Sequence, residues 1–582
     1  MYTYFMRYQL FAVALAANII ATGLYYWQGY GGYVVFFWLL SLGIAGYWFR
    51  HRTRDTRVVK ESKKRDYCLL ALLLLLFVPI YFISLYTIPF QVNTDEVTIS
   101  FFARMLSADP HADIFALSEY FYFPSMIFIL WGWLADMLGG VSLASIRIVH
   151  ATSGIGIIVA AYFLFKFLFG SRWYGFIGAV ILGANHALIA LSRMAMRDNV
   201  ALLVETAGLA LLVRGWQKKS YYHTFLGGAV AGFGFYNYFP ARATILIWGL
   251  FSFLVLVFYR RRVWEWDSLR LAGACMLGFF MMIAPLVIAT LNTPGFGARY
   301  AREQILIYPE GRELERMWER AATAREAYVI NLKNGLMALN TAIHDHGYIY
   351  LNYGHGFLDP VTGGLVWLGL AAYAVRRGKR PEELLILAGF FSLYLGSAFL
   401  LTKNPNYTRY LMLLPFVVGM ALMALRSIRE VLNRIRPRLG AIIMAGGVVF
   451  ILVSNLFIFG DYIIVGAKDG NDVGGTGRYI EARAHEPQYS FYLLSDSMHT
   501  YYSWGVEEQW KSWMKFFANP AHQVYVVPPT LFMNMLGTPP FTVFMHQNFL
   551  RSALPQIAKK YPHARVAPIT PDGRLGAIEV MK

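Results

Sequence analysis

Apolar runs of about 17 to 25 residues recur along almost the whole chain, from Tyr8 to Trp27 near its start to Leu439 to Phe459. A run of that length crosses a bilayer as a helix, because lipid offers the backbone no hydrogen-bond partner and a helix satisfies its own. Repetition on this scale leaves little room for any other architecture. The expectation is a polytopic α-helical membrane protein. With 57% hydrophobic and 15% charged residues, a large soluble core is excluded. The net charge of +18 does not read as a nucleic-acid footprint, because the basic clusters fall between apolar runs, as the positive-inside rule expects of cytoplasmic loops. No nucleic-acid partner is expected. Cys68 and Cys275 lie far apart within apolar runs and suggest neither a disulfide nor a metal motif.

Orientation comes from the basic residues. Arg50, Arg52, Arg54, Arg57, Lys60, Lys63, Lys64 and Arg65 follow a helical hairpin, Tyr8 to Phe49, and mark a cytoplasmic loop within segment 1–66. With no small-residue cleavage site after the first run, that helix is expected to stay as an anchor. The run Tyr67 to Ile88 then goes outward, placing Asn93-Thr94-Asp95-Glu96 on the outer face. Later clusters, Arg260 to Arg262, Arg376 to Arg380 and Arg426 to Arg438, fall on the cytoplasmic side. For the signs to agree, one run between residues 124 and 213 must be partial or re-entrant, giving about 13 transmembrane helices. Two outer loops, 89–123 and 292–356, belong to a membrane domain over 67–460. The first should carry a surface helix over Val97 to Leu106; the second carries amphipathic stretches from Arg299 to Arg325 and from Ala327 to Ile343.

Residues 461–582 are of another kind. Short β-like runs at Ser490 to Leu494, Gln523 to Val527, Phe541 to Met545 and Gly576 to Val580 alternate with helical patterns at Glu507 to Phe517 and Phe549 to Lys560. They predict a small extracytoplasmic C-terminal α/β domain. Gly474-Gly475-Thr476-Gly477 lacks a preceding strand and a P-loop lysine, so it reads as a loop leading to a helix.

Asp95 and Glu96 are the candidate catalytic residues, since two carboxylates where a helix leaves the membrane ask for a reason. The bland reading makes Thr94 or Asp95 an N-cap. The same face, by this topology, carries Arg193, Arg197 and Asp198, then Tyr238 and Arg242, and then Lys403, Arg409 and Tyr410, all at ends of apolar runs. Each cation alone could be a snorkelling residue. Gathered around one cavity, Arg193, Arg197, Arg242, Lys403 and Arg409 would bind the phosphate of a lipid, Asp198, Tyr238 and Tyr410 would line the site, and a carboxylate would take a proton from an attacking hydroxyl or amine.

The Asp95-Glu96 pair after an outward helix, the aromatic-Pro stretch Tyr120 to Pro124, the stretch Ser192 to Asp198, Asp359-Pro360 before a Gly-rich helix, and the stretch Lys403 to Pro415 together resemble glycosyltransferase family 39 of the GT-C superfamily. The resemblance spans roughly Tyr67 to Phe459. It implies a GT-C-like fold, a polyprenyl-phosphate sugar donor, a lipid, glycan or protein acceptor, and inversion at the anomeric carbon, with Asp95 as general base. No cofactor is expected, although Asp95, Glu96 and Asp198 could supply oxygen ligands to a divalent ion. His111, His344, His346 and His355 also raise a zinc reading. The chain departs from the family in its extra amino-terminal hairpin and in Phe123, where the family often has Lys or His before the proline. The rival reading is a lipid-substrate flippase or transporter, which would place ionisable groups on broken helices at mid-membrane and often show repeated halves.

Overall fold

The structure is a computed structural model, and it describes residues 2–52, 63–89, 92–118, 123–259, 266–293, 302–341, 355–376, 380–468, 472–483, 485–486, 488–494, 506–518, 521–528, 531–569 and 575–581. The basic loop at 53–62, Arg260 to Arg262, His344 and His346 lie outside the described residues.

Helices α1 (Tyr2–Gln28) and α2 (Gly32–Arg52) form the expected hairpin, followed by α3 (Lys63–Phe82), α4 (Thr94–Ala108), α5 (Met126–Asp136), α6 (Leu143–Phe169), α7 (Arg172–Ala184), α8 (His186–Ser192), α9 (Asp198–Lys218), α10 (Tyr221–Phe233), α11 (Thr244–Phe258) and α12 (Trp266–Asn292). After α13 (Pro309–Trp318) and α14 (Ala324–Met337), the bundle resumes with α15 (Pro360–Val375), α16 (Pro381–Leu400), α17 (Leu414–Ile435) and α18 (Leu439–Lys468). Among the described residues, ten helices are long and apolar enough to cross a membrane, or eleven if the bent pair α7–α8 is one span, fewer than the thirteen expected. The difference lies in runs that fold as short helices: α5 has 11 residues, α10 has 13 and α15 has 16, lengths of roughly 16 to 24 Å at 1.5 Å per residue. An apolar run measures hydrophobicity; only the fold shows how much of it is one straight helix.

The partial run between 124 and 213 has two sources. Besides the short α5, the run Trp173 to Leu191 breaks at Asn185, where α7 and α8 meet at 66°. Buried polar groups support the break. Asn185 Oδ1 accepts from Leu188 N at 3.0 Å and its Nδ2 donates to Phe357 O at 3.2 Å, while His186 N donates to Asn455 Oδ1 at 3.1 Å. Asn455 in turn donates to Asp359 at 2.8 Å, and Asp359 caps α15 through Val361 N and Thr362 N. Backbone freed within a bundle is tolerated only with such partners. The bend turns Arg193 to Asp198 into the protein.

Elsewhere the helices close up over glycines. A Cβ on Gly228 of α10 would meet Cys275 O of α12 at 1.9 Å, and one on Gly278 of α12 would meet Phe225 O at 2.2 Å. Helices in lipid associate by close backbone approach rather than by hydrophobic burial, so these two positions seat α10 on α12.

The C-terminal domain starts with α19 (Asp472–Ala482), followed by β1 (Ser490–Leu494), α20 (Val506–Phe517), β2 (Gln523–Val527), β3 (Phe541–His546), α21 (Gln547–Lys560), β4 (Arg565–Pro568) and β5 (Leu575–Val580). The strand order is β2-β1-β3-β5-β4, with β1 parallel to both β2 and β3, and β5 antiparallel to β3 and β4. All four expected strands are present. The fifth, β4, is a short and mostly exposed edge without clear alternation. Gly474 to Gly477 lie inside α19 rather than in a loop before a helix, and the close approach of Phe517, which leaves 2.4 Å to a Cβ at Gly477, selects a small residue there.

Candidate active site

Asn93, not Thr94 or Asp95, caps α4: its Oδ1 accepts from Asp95 N at 2.8 Å. Asp95 and Glu96 therefore sit in the first helical turn, where the helix dipole favours negative charge. Successive residues on a helix point about 100° apart, so the two carboxylates face different surroundings.

Glu96 turns inward. Its carboxylate pairs two-pronged with Arg147 of α6, Nε to Oε1 at 2.7 Å and Nη2 to Oε2 at 3.0 Å, both side chains being fully buried, and Oε1 also accepts from Ala195 N at 2.9 Å. Such a committed group has no free face for a substrate, which corrects the expectation of a catalytic Glu96. Arg193 differs from expectation in the same way. It donates to the carbonyls of Ile80, Ile83 and Ile88, while Arg147 reaches those of Leu85, Tyr86 and Pro89. Two arginines thus collect six backbone oxygens, one from the last turn of α3 and five from the irregular chain after it, where intrahelical partners end. In this arrangement Arg193 braces the chain around the end of α3.

Asp95 turns the other way, with 31% of its side chain exposed, and its Oδ2 lies 3.6 Å from Arg197 Nη2. The Arg197 guanidinium rests over the Tyr238 ring at 4.5 Å. Asp198, buried behind it at the start of α9, lies beside Thr408 and feels the charges of Arg197 and Asp95. Tyr238, Arg242, Arg409 and Tyr410 line one cavity of about 400 Å³, whose other walls come largely from Leu246, Ile305, Leu393, Leu400 and Leu413. Arg409 donates to Thr402 O at 2.7 Å and to Gln304 Oε1. Arg242 lies 6.0 Å from the Phe235 ring. Tyr410 donates to Gly335 O at 3.1 Å.

Lys403 sits over Trp318 at 4.1 Å, in a left-handed backbone conformation with φ of 59°. Its amide donates to Glu315 at 2.7 Å. Burial, with Arg409 beside it, pushes its ammonium down to about 8, while Glu315, Glu303 and Asp95 pull the other way. The fold thus groups Asp95, Arg197, Asp198, Tyr238, Arg242, Lys403, Arg409 and Tyr410 at one end of the bundle and takes Glu96 and Arg193 into its framework.

Three contributors had no place in the sequence reading: Arg147, Gln304 and Trp318. Arg147 carried a signal, since a lone arginine inside an apolar helix demands a partner. Gln304 and Trp318 carried none. Among the described residues no group of three or more His, Cys, Asp or Glu side chains is placed to hold a metal ion; His111 is exposed, and His355 Nε2 faces Asp461 at 3.5 Å.

Comparison with known proteins adds a match to a family over part of the chain, and an architecture. Residues 124–288 match the family described as dolichyl-phosphate-mannose-protein mannosyltransferase. The crystal structure of ArnT from Cupriavidus metallidurans bound to undecaprenyl phosphate superposes with a TM-score of 0.50 at 13% identity, over 89% of this chain and 98% of that one. The apo form gives 0.51 at 12% identity, with the same coverage.

The chain has the GT-C fold.

The GT-C resemblance read from the sequence is borne out, by this fold and by the family match over residues 124–288. An oligosaccharyltransferase from Archaeoglobus fulgidus, tethered to an acceptor peptide, is a more distant match at 13% identity and a TM-score of 0.47, over 79% of this chain and 64% of that one. Among curated protein sequences none matches.

Proposed function

We propose that this GT-C protein transfers a sugar from a polyprenyl-phosphate donor to an acceptor at the extracytoplasmic face of a plasma membrane, with Asp95 as general base. The observation that carries the reading is the placement of a partly exposed carboxylate, through Arg197 and Tyr238, next to a cavity that pairs Arg242 and Arg409 with aliphatic walls. A lipid phosphate needs that combination: guanidinium groups for its oxygens and apolar surface for the first prenyl units.

In the reaction, the acceptor oxygen or nitrogen attacks the anomeric carbon from the face opposite the phosphate. The bond between that carbon and the phosphate oxygen breaks, inverting the centre. Asp95 receives the acceptor's proton, and the phosphate leaves as an anion held by Arg242, Arg409 and Lys403, whose preset charges cost no reorganisation as negative charge develops. Arg197 orients the base, and Tyr238 fixes Arg197. The relatives named above support the donor class: one family description names a dolichyl-phosphate mannose, and one structure holds undecaprenyl phosphate.

The test is transfer of radiolabelled sugar from polyprenyl-phosphate donors by purified protein. Asp95→Asn should lower turnover by roughly 10²- to 10⁴-fold, the range of a positioned acid or base. Equal rates would remove the assignment, and lipid movement without transfer from any donor would favour the flippase.

A further inference from the structure

The amino-terminal hairpin is extra to the family resemblance, and as a bare anchor it would need only apolar contact with α12. The structure shows more. Pro285 lies inside α12, and a proline within a helix deprives the carbonyl four residues earlier of its hydrogen bond. That carbonyl belongs to Met281. It accepts from Asn18 Nδ2 of α1 at 3.2 Å and from Trp38 Nε1 of α2 at 3.1 Å. Asn18 also donates to Ser41 at 3.0 Å, which ties the two hairpin helices together around the break. The next carbonyl, of Met282, accepts from Tyr236 OH at 3.0 Å. In lipid a freed carbonyl is costly, so both hairpin donors are drawn to the one that Pro285 leaves open, and Tyr236 bonds the carbonyl beside it.

Tyr236 stands two residues before Tyr238, the ring on which Arg197 rests. The hairpin also reaches the segment that follows α4. Tyr25 OH donates to Asp113 Oδ2 at 2.9 Å, and Asp113 Oδ1 accepts from Phe115 N at 2.8 Å, fixing that turn. The Phe115 ring lies 5.4 Å from those of both Tyr25 and Trp38 and 6.1 Å from Tyr236. One hairpin therefore grips both chain segments that deliver the site: the loop carrying Tyr238 and Arg242, and the segment that continues from the helix carrying Asp95.

We propose that the amino-terminal hairpin is a positioning element, in which Tyr25 and Trp38, anchored at the Pro285 break through Asn18 and Trp38, hold the Tyr238 loop and the Asp113–Phe115 turn in register so that Arg197 meets Asp95. Its effect on rate rests on the proposed transferase activity; its effect on the two loops does not. Neither tyrosine nor tryptophan touches the reacting groups.

The test pairs hydrogen exchange with kinetics on the full-length protein. Tyr25→Phe, Trp38→Phe and Asp113→Leu each remove hydrogen bonds while keeping a bulky side chain; Asp113→Asn keeps its oxygen for Phe115 N and turns its amide N–H to the Tyr25 hydroxyl oxygen, which then accepts, and is the conservative control. The expected result is faster amide exchange over 113–117 in the Tyr25 and Asp113→Leu variants, and over 234–238 in Trp38→Phe, by roughly fivefold, the scale of one lost hydrogen bond. Turnover should fall several-fold with donor KM within about twofold, and Asp113→Asn should behave as wild type, since misplacing a base affects the chemical step more than binding. Unchanged exchange at both segments would overturn the proposal whatever the activity. So would looser loops with unchanged turnover in an active enzyme. If wild type transfers no sugar, the functional reading fails, and the exchange measurement alone decides the hairpin's role.

Discussion

Adjacent carboxylates with opposite fates show how finely a helix sorts its side chains. Glu96 is held in a fully buried pair, and breaking such a pair from one side typically costs about 3 to 5 kcal/mol because the remaining charge has no partner. Arg147→Met should therefore lower the thermal midpoint and the yield of folded protein, whereas Asp95→Asn should leave the midpoint near wild type while slowing transfer. Thermal unfolding in detergent alongside the sugar-transfer assay separates the two. Lys403 makes a second prediction at this scale. Its ammonium is depressed to about 8 by burial and by Arg409, so the free enzyme loses that charge as pH rises through 8. If the charge helps bind the lipid phosphate, kcat/KM for the donor should fall across that range. In Lys403→Met the fall should be absent and donor KM higher at pH 7, as pH–rate profiles of both proteins would show.

Elements set the angles at which these residues arrive. The seating of α10 on α12 depends on Gly228, where even a methyl group has only 1.9 Å to Cys275 O. Gly228→Leu must push the helices apart, a change of the overpacking kind that costs about 1 to 3 kcal/mol, and α10 leads directly into the turn before Tyr238. Thermal unfolding should report the loss. The C-terminal domain bears on α4 in a similar way. Arg104 of α4 donates to Phe516 O at 2.6 Å and stacks 4.4 Å over its ring, and Trp513 Nε1 donates to Thr98 at 2.9 Å, one turn beyond Asp95. The same domain also holds the chain after α3, where Arg478 donates to Tyr86 O at 2.9 Å. Charged hydrogen bonds of this type are worth about 1.5 to 3 kcal/mol. Arg104→Ala should loosen the domain from α4, giving faster proteolysis of the tail and a partial loss of transfer.

At the scale of the whole molecule, the proposed mechanism needs its site and its tail outside the cell. A single cysteine at Lys559, exposed on α21, in a background lacking Cys68 and Cys275, should react with a membrane-impermeant maleimide on intact cells. Labelling only after lysis would reverse the orientation and separate the site from an external acceptor. The helical membrane class and most strands of the tail were legible in the chain because they depend on local pattern: run length against bilayer thickness, and alternation along a strand. Charges at the ends of runs could likewise be nominated from their positions alone. What the pattern could not hold was direction. Glu96 and Asp95 have the same type and place in the sequence, and only the approach of Arg147 from α6 decided which one is buried. Arg193 and Arg197 are one turn apart, and the bend at Asn185 sent one to the carbonyls around the end of α3 and the other to Asp95. Short helices such as α10 and α15 read as spans because hydropathy reports how readily a segment leaves water, while its length and tilt depend on its neighbours. The sequence by itself determined the solvent each segment prefers and the charges available at its ends; the tertiary structure alone decided which charges pair with each other and which are left facing the cavity, because pairing depends on distances between residues remote along the chain.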